Sequence, residues 1–367
     1  MLDQIFTAQY AAARLRLSPL GPWLDSFVER LFGLGYTTGT CREYVVLAAD
    51  LGRWMAACEL SIRALDESAI GSYIEHRGTD PDRRRRAADR MLEHLRAEGT
   101  ASLRVIKPDH SALSTVCQSY AEYMLKERGA ADGTIEGYIA VIRDLLASRV
   151  KSGDVDIGSL KASDIEDYIV GCASALAAKT VAYRATALRS FFRFLFIHGM
   201  TSTDLSRATL VARTAHQASV PRYLSPEEVE RLLDTCDSST PAGRRNRAII
   251  LLLVRLGLRA SEVAALDLDD IRWRSSEIVV LGKGNVVDRL PLLAEVGEAL
   301  SLYLSNDRPA DVPTRRLFLR LLAPVRGLSG RGAIGSVVRA GLERAGLHPP
   351  MRGPHLLRHT LGTQMIR

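Results

Sequence analysis

Up to residue 200 the apolar side chains recur at intervals of three and four, with short polar turns between the runs. That period places one apolar stripe along a helix, so the pattern predicts amphipathic helices and no strands. After residue 222 the pattern changes. Leu224-Ser225-Pro226-Glu227-Glu228-Val229 reads as a helix start. Ser225 is the N-cap, Pro226 opens the first turn, Glu228 closes a capping box, and Leu224 and Val229 form a hydrophobic staple. A helix that is apolar nearly all round is predicted over about 246–256, stopped by Gly257. Residues 277–281 and 286–290 read as the strands of a β-hairpin turning through Gly282-Lys283-Gly284-Asn285 and closed by Pro291. Further helices are predicted near 294–304 and 333–345, and a last one begins at Gly353-Pro354. The expected fold class is mainly α with a small β-hairpin in the C-terminal part (α+β).

A second pattern overlies the helical one. From Trp23 and again from Cys117, like residues stand 94 positions apart: Leu31/Leu125, Gly35/Gly129, Thr40/Thr134, Tyr44/Tyr138, Asp50/Asp144 and Leu51/Leu145. After a one-residue shift come Leu65/Leu160, Ser68/Ser163, Ile70/Ile165 and Tyr73/Tyr168, and each stretch closes with a basic-apolar helix and a glycine, Gly99 or Gly199. Helical periodicity alone repeats leucines. It does not repeat Gly, Thr, Tyr and Asp, so duplication of a small helical domain is expected. Helix-poor segments at 100–112 and 200–222 suit linkers. Three domains follow: 1–105, an N-terminal helical domain and duplicate of the next; 108–205, a helical domain; and 222–367.

Composition narrows the class. With 47% hydrophobic and 25% charged residues the chain can bury globular cores. Its formal charge of +7 favours a polyanionic partner, although only six of the 49 basic residues are lysine, a bias that base composition alone can produce. Five scattered cysteines without a C-x-x-C pair argue for reduced thiols and against a zinc site. No apolar run approaches a membrane span, and the start lacks the basic and apolar segments of a signal peptide. A cytoplasmic protein without membrane association is expected.

Three pieces carry candidate chemistry. Gly257-Leu258-Arg259-Ala260-Ser261-Glu262 turns from the buried helix into the next. Lys283 sits at the hairpin tip between glycines. In His355-Leu356-Leu357-Arg358-His359 the spacing i, i+3, i+4 places His355, Arg358 and His359 on one helix face, with Leu356, Leu357 and Leu361 towards the core. Singly each is weak: a chain with this many histidines and arginines contains about one H-x-x-R by chance. A hairpin lysine is commonly a solvated turn residue. The order of the three, on these elements, carries the weight.

As a set they resemble the tyrosine recombinases, the phage integrase family. Leu258 to Glu262 is similar to the family's first-arginine box, Lys283 to its hairpin lysine, and His355, Arg358 and His359 to its H-x-x-R-H box. The resemblance covers 222–367 and, more loosely, 110–200, where Thr134 and Tyr138 stand in the T-x-x-x-Y position of the helical core-binding domain. It implies one or two SAM-like core-binding domains, with Thr134 and Tyr138 as DNA-binding residues, and an integrase-type catalytic domain. It also implies double-stranded DNA as partner and strand cleavage and religation through a 3′-phosphotyrosyl link. Arg259 and Arg358 would clamp the non-bridging oxygens of the reacting phosphate, where guanidinium charge and bidentate geometry suit the developing charge. His355 would bond the phosphate or handle the nucleophile's proton, Lys283 would protonate the leaving 5′-oxygen, and His359 and Glu262 would support. Neither metal nor other cofactor is implied. The chemistry needs no metal, in keeping with a sequence without a carboxylate cluster or Cys/His site, and no ATP, because the covalent link conserves the bond energy for religation.

One departure matters. The family's pattern continues beyond H-x-x-R-H to a nucleophilic tyrosine, whereas the last tyrosine of these 367 residues is Tyr303. The expectation is a phosphate-activating pocket without a nucleophile, in a catalytic domain incomplete at its C-terminus, from a decayed gene of a mobile element or a fragment of a longer protein. A DNA-binding protein that occupies recombination sites without cutting is the alternative, and a helical interaction protein a third. Homo-oligomers, or assemblies with related recombinases on DNA, are the partners the family pattern suggests.

Overall fold

The computed structural model describes residues 1–102, 111–147, 157–209, 223–282 and 286–366. Lys283 and its turn therefore lie outside the described residues.

The first helical region runs through α1 (Leu2–Ile5), α2 (Gln9–Arg16), α3 (Leu24–Gly33), α4 (Thr38–Ala57), α5 (Glu67–Arg77) and α6 (Pro81–Ala97). Thr37 caps α4 by accepting from the Thr40 N–H (3.3 Å), and Asp66 caps α5 by accepting from the Ala69 N–H (2.8 Å). Phe27, Val45, Leu51, Ile70, Met91 and Leu95 are fully enclosed in one core. The stretch before Trp23, for which the periodicity specified little, folds onto that core through Leu2, Ile5 and Leu15.

A separate core belongs to α7 (Ala112–Lys126), α8 (Asp132–Ala147), α9 (Ala162–Ala175) and α10 (Ala178–Ile197), and is rich in aromatic rings: Tyr120, Phe191, Phe192 and Phe194. The 200–222 segment, read as helix-poor, contains a single 3-10 turn at Leu205–Ala208 among its described residues.

The third core gathers α11 (Pro226–Asp234), α12 (Pro241–Arg255), α13 (Ala260–Ala265), a sheet, and α14 (Ala294–Asn306), α15 (Gly330–Arg344) and α16 (Pro354–Ile366). The capping box at α11 forms as expected: Ser225 Oγ accepts from the Glu228 N–H (3.2 Å), and the Glu228 carboxylate from the Ser225 N–H (2.8 Å). The apolar helix α12 is central, with Ala248 to Val254 buried. It starts earlier than expected, because Thr240 caps a polar first turn that the apolar pattern could not register. Arg255 pins it between Glu230 of α11 (2.7 Å) and Glu295 of α14 (2.9 Å). The expected hairpin is β2 (Glu277–Leu281) paired antiparallel with β3 (Val287–Pro291), Val279 opposite Arg289. A strand of two residues, β1 (Ile271–Arg272), adds to β2 and makes a three-stranded sheet, too short to show a period in sequence. The fold is thus mainly helical with one small antiparallel sheet. No helix among the described residues is long and apolar enough to cross a membrane.

Candidate functional site

Where α12 ends, Gly257 adopts φ +63°, a left-handed conformation that costs a residue with a Cβ about 1–2 kcal/mol. A Cβ there would also press on Leu361 of α16 at 3.0 Å. The chain then turns at Arg259, the N-cap of α13. Glu262, nearly buried, accepts from the Arg259 N–H (2.7 Å) and from Arg259 Nη1 (2.5 Å). One carboxylate thereby fixes both the backbone and one guanidinium nitrogen, and leaves the rest of the guanidinium to face outward.

From the other side α16 supplies the second arginine. Pro354 opens the helix, and Leu356, Leu357 and Thr360 turn into the core. The Thr360 hydroxyl accepts from the Leu224 N–H (3.0 Å) and donates to the Leu356 carbonyl (2.9 Å), tying the last helix to the start of α11. This inward hydroxyl is absent from the sequence-based reading. Arg358 points away from the core and donates through Nη1 to the Gly257 carbonyl. Gly257 therefore serves as both turn and anchor: the residue that ends α12 also orients Arg358.

Arg259 and Arg358 both line two cavities. One, of about 480 Å³, is bounded also by His355, Arg331 and Arg339 and has no carboxylate in its wall. The other, of about 360 Å³, holds Glu262 and Asp288. The two arginines thus border a side that carries acids, where Glu262 pairs with Arg259, and an acid-free side open to an incoming anion. His355 opens onto the acid-free side. His359, one helical turn on, stacks its ring on His355 at 5.9 Å between centroids and is exposed, but lines neither cavity. Of the three residues predicted to share a face, His355 and Arg358 reach the cavity together and His359 stands beside them. Lys283 lies outside the described residues. Thr134 and Tyr138 are on α8, Thr134 exposed and Tyr138 half-buried with its ring edge-on to Tyr183 at 5.6 Å.

Residues 222–367 match the phage integrase family, and residues 117–199 match the phage integrase N-terminal SAM-like domain. The putative integrase/recombinase y4rA of Sinorhizobium fredii (strain NBRC 101917 / NGR234) is 36% identical over 363 residues, 98% of this chain and 88% of that protein. This chain belongs to the phage integrase family, the tyrosine recombinases. A further relative, the tyrosine recombinase XerD of Listeria monocytogenes serotype 4b (strain F2365), is 29% identical over 69% of this chain and 86% of its own length. The solved structure of the Tn1549 transposon integrase, in complex with a circular intermediate DNA, has the same fold, with a TM-score of 0.51 at 20% identity over 68% of this chain and 86% of that one.

Two features of this recombinase scaffold escaped sequence reasoning. Arg331 and Arg339 reach the acid-free cavity from α15, and the helix predicted to start at 333 had left Arg331 outside it. A usable signal existed: Arg331, Gly335 and Arg339 recur every four residues. Tyr303 is fully buried, its hydroxyl accepting from the Leu319 N–H (3.1 Å), and burial raises its pKa above the ordinary value.

Proposed function

We propose that this chain acts on duplex DNA as a site-specific integrase or recombinase, with Arg259 and Arg358 clamping the reacting phosphate and His355 bonding it or handling the nucleophile's proton. The observation that carries this reading is the acid-free cavity shared by these three side chains. Two fixed positive charges suit the extra negative charge that a phosphodiester gains when its phosphorus is attacked, and preorganised donors of this kind are commonly the largest catalytic contribution. In the reaction that the family resemblance implies, a tyrosine oxygen bonds to phosphorus while the bond to the 5′-oxygen breaks. Lys283 supplies the proton that the leaving oxygen takes, and the reverse attack religates the strand. Neither ATP nor metal enters this balance.

We infer further that these 367 residues by themselves bind DNA without forming the covalent link. Tyr303, which follows the first-arginine box, is enclosed in the core with its hydroxyl engaged, which supports the reading that it does not attack a phosphate in that cavity. The test is direct. Purified protein should bind duplex DNA with log affinity falling steeply against log salt, and should give no protein–DNA adduct on a denaturing gel. A stable phosphotyrosyl adduct would overturn the second inference, and salt-insensitive or absent binding the first.

The organisation we propose is 1–105, 108–205 and 222–367, with the first part a duplicate of the second. Support comes from matched hydrogen-bond networks. In the first region the Tyr73 hydroxyl donates to Asp50 (3.0 Å), and Arg84 donates to Asp50 (2.7 Å) and to the Tyr73 oxygen (2.9 Å). In the second, Tyr168 donates to Asp144 (2.8 Å), and Arg184 to Asp144 and to the Tyr168 oxygen. The guanidinium lies over the tyrosine ring at 5.9 Å in one and 5.8 Å in the other. Asp50/Asp144 and Tyr73/Tyr168 are pairs that the sequence spacing had singled out.

A further inference from the structure

We propose that Arg331 and Arg339 hold two further DNA backbone phosphates beside the reacting one, so that α15 is a positioning rail for the strand. The inference rests on the DNA-cleaving scaffold proposed above and concerns residues outside the first- and second-arginine boxes.

The cavity is larger than one phosphate requires. A PO4 group has five heavy atoms, roughly the bulk of two waters at about 30 Å³ each, against a volume of about 480 Å³. Its wall carries four guanidiniums, an imidazole and no carboxylate. Arg259 is tied to Glu262 and Arg358 to the Gly257 carbonyl. Arg339 makes one contact, Nη2 to the neutral Ser336 hydroxyl (3.2 Å), and Arg331 forms no hydrogen bond or ion pair among the described residues. Both side chains are exposed, and among the described residues their charges have no carboxylate partner. Like charges gathered without compensation repel one another, and a polyanion relieves that repulsion.

Spacing favours separate phosphates. Eight residues along a helix rise about 12 Å, while phosphates along one DNA strand rise about 3.4 Å per nucleotide. Arginines that far apart suit two phosphates better than one. Between them Gly332 is exposed and keeps that part of the helix wall bare, since a Cβ there would touch nothing. A backbone can approach α15 closely there. Contacts of this kind fix register and carry no sequence information.

The experiment measures binding of the full chain to two duplexes of unrelated sequence over a salt series. Wild type gives a steep slope of log affinity on log salt. R331Q/R339Q should flatten it by about 1.8, or about 0.9 for each lost phosphate contact, equally on both duplexes, with an unchanged circular dichroism spectrum. R331K/R339K should restore most of the slope, because lysine serves a phosphate as a point charge. Wild-type binding with an unaltered slope in R331Q/R339Q would overturn the proposal, as would a loss confined to one duplex, which would mean base readout. Absence of salt-dependent binding by wild type itself would instead overturn the DNA-acting reading on which the proposal stands.

Discussion

Around Asp50 the first helical region gathers Tyr73, Arg77 and Arg84, while around Asp144 the second gathers Tyr168 and Arg184. The donors and the cation over the ring are alike, but the depth differs. The Asp50 side chain is 17% exposed and that of Asp144 is 54%. Burial raises the pKa of Asp50, yet the bonds from Tyr73 and Arg84 and the charges of Arg77 and Arg84 outweigh it and hold the carboxyl below its ordinary value. Asp144 reaches a lowered value chiefly through its bonds to Tyr168 and Arg184, with less burial to overcome. The same motif thus acts as a buried strut in one region and as a surface brace in the other.

That contrast sets the largest expected difference between the two regions. Removing one member of a buried ion pair leaves the others desolvated and unpaired, which costs about 3–5 kcal/mol when burial is complete; with Asp50 still partly wet, D50A should cost about 3 kcal/mol. An exposed brace contributes about 1 kcal/mol or less, so D144A should cost about 1 kcal/mol. The gap of about 2 kcal/mol corresponds to roughly 30-fold in the opening equilibrium. Hydrogen exchange of the full chain, resolved to α4–α6 and α8–α10, reads both. Equal losses in the two regions would remove the distinction between strut and brace.

Much of this was legible in the sequence, for identifiable reasons. Helices with a wide apolar stripe declared themselves, as did the hairpin and the Ser225/Glu228 box, because each is specified within a few residues of chain. Pairs such as Asp50/Asp144 were visible since polar identities do not follow from helical periodicity. The remainder depends on partners distant in sequence. The two residues of β1 form a strand only because β2 lies alongside. Thr360 turns inward because the Leu224 N–H needs an acceptor. Tyr44 and Tyr138 are matched in sequence, yet Tyr44 is buried against Tyr36 and Tyr138 is half-exposed, a difference set by neighbours on other helices. In the cavity wall, Arg259, His355 and Arg358 were found through a family pattern. Arg331 and Arg339 belong to no such pattern and needed the folded wall to bring them in.

A control for the comparison lies where the regions should respond alike. After α6 and after α10 the chain closes with one arrangement: the Thr100 N–H donates to the Leu95 carbonyl and the Met200 N–H to the Leu195 carbonyl, both at 2.9 Å. Gly99 and Gly199 supply the left-handed residue at φ +70° and +67°, each with open space where a Cβ would stand. Only backbone strain opposes a side chain there, so G99A and G199A should each cost about 1 kcal/mol, roughly a fivefold loss of local protection. Costs that differ by more than about threefold in protection would show that the two caps are not equivalent.

The smallest effect sharpens the comparison inside the cores. Counting back from each closing glycine, His94 of α6 stands where α10 has Phe194, and both are almost fully buried. His94 Nε2 lies 2.9 Å from the Ser26 hydroxyl and its ring 5.6 Å from Phe27, whereas Phe194 packs on Tyr120 at 5.4 Å. Burial lowers the His94 pKa, with Arg30 assisting and Glu98 opposing. The unfolded chain, with an ordinary histidine pKa of about 6.5, therefore takes up the proton first as pH falls. Stability from the neutral ring is complete above about pH 6.5 and is lost as pH falls from there towards the folded value, by at most about 1.4 kcal/mol per pH unit. The Asp50 network enters only lower, since its carboxyl stays charged until pH falls through a value below the ordinary carboxylate range. Between pH 7.5 and 5.5, then, exchange corrected for its intrinsic pH dependence should report loss of protection in α3–α6 and little change in α7–α10. H94F should abolish the loss, because it gives the first core the aromatic residue the second already has. Persistence of the pH dependence in H94F would place the titrating group elsewhere and leave the two cores equivalent in this respect.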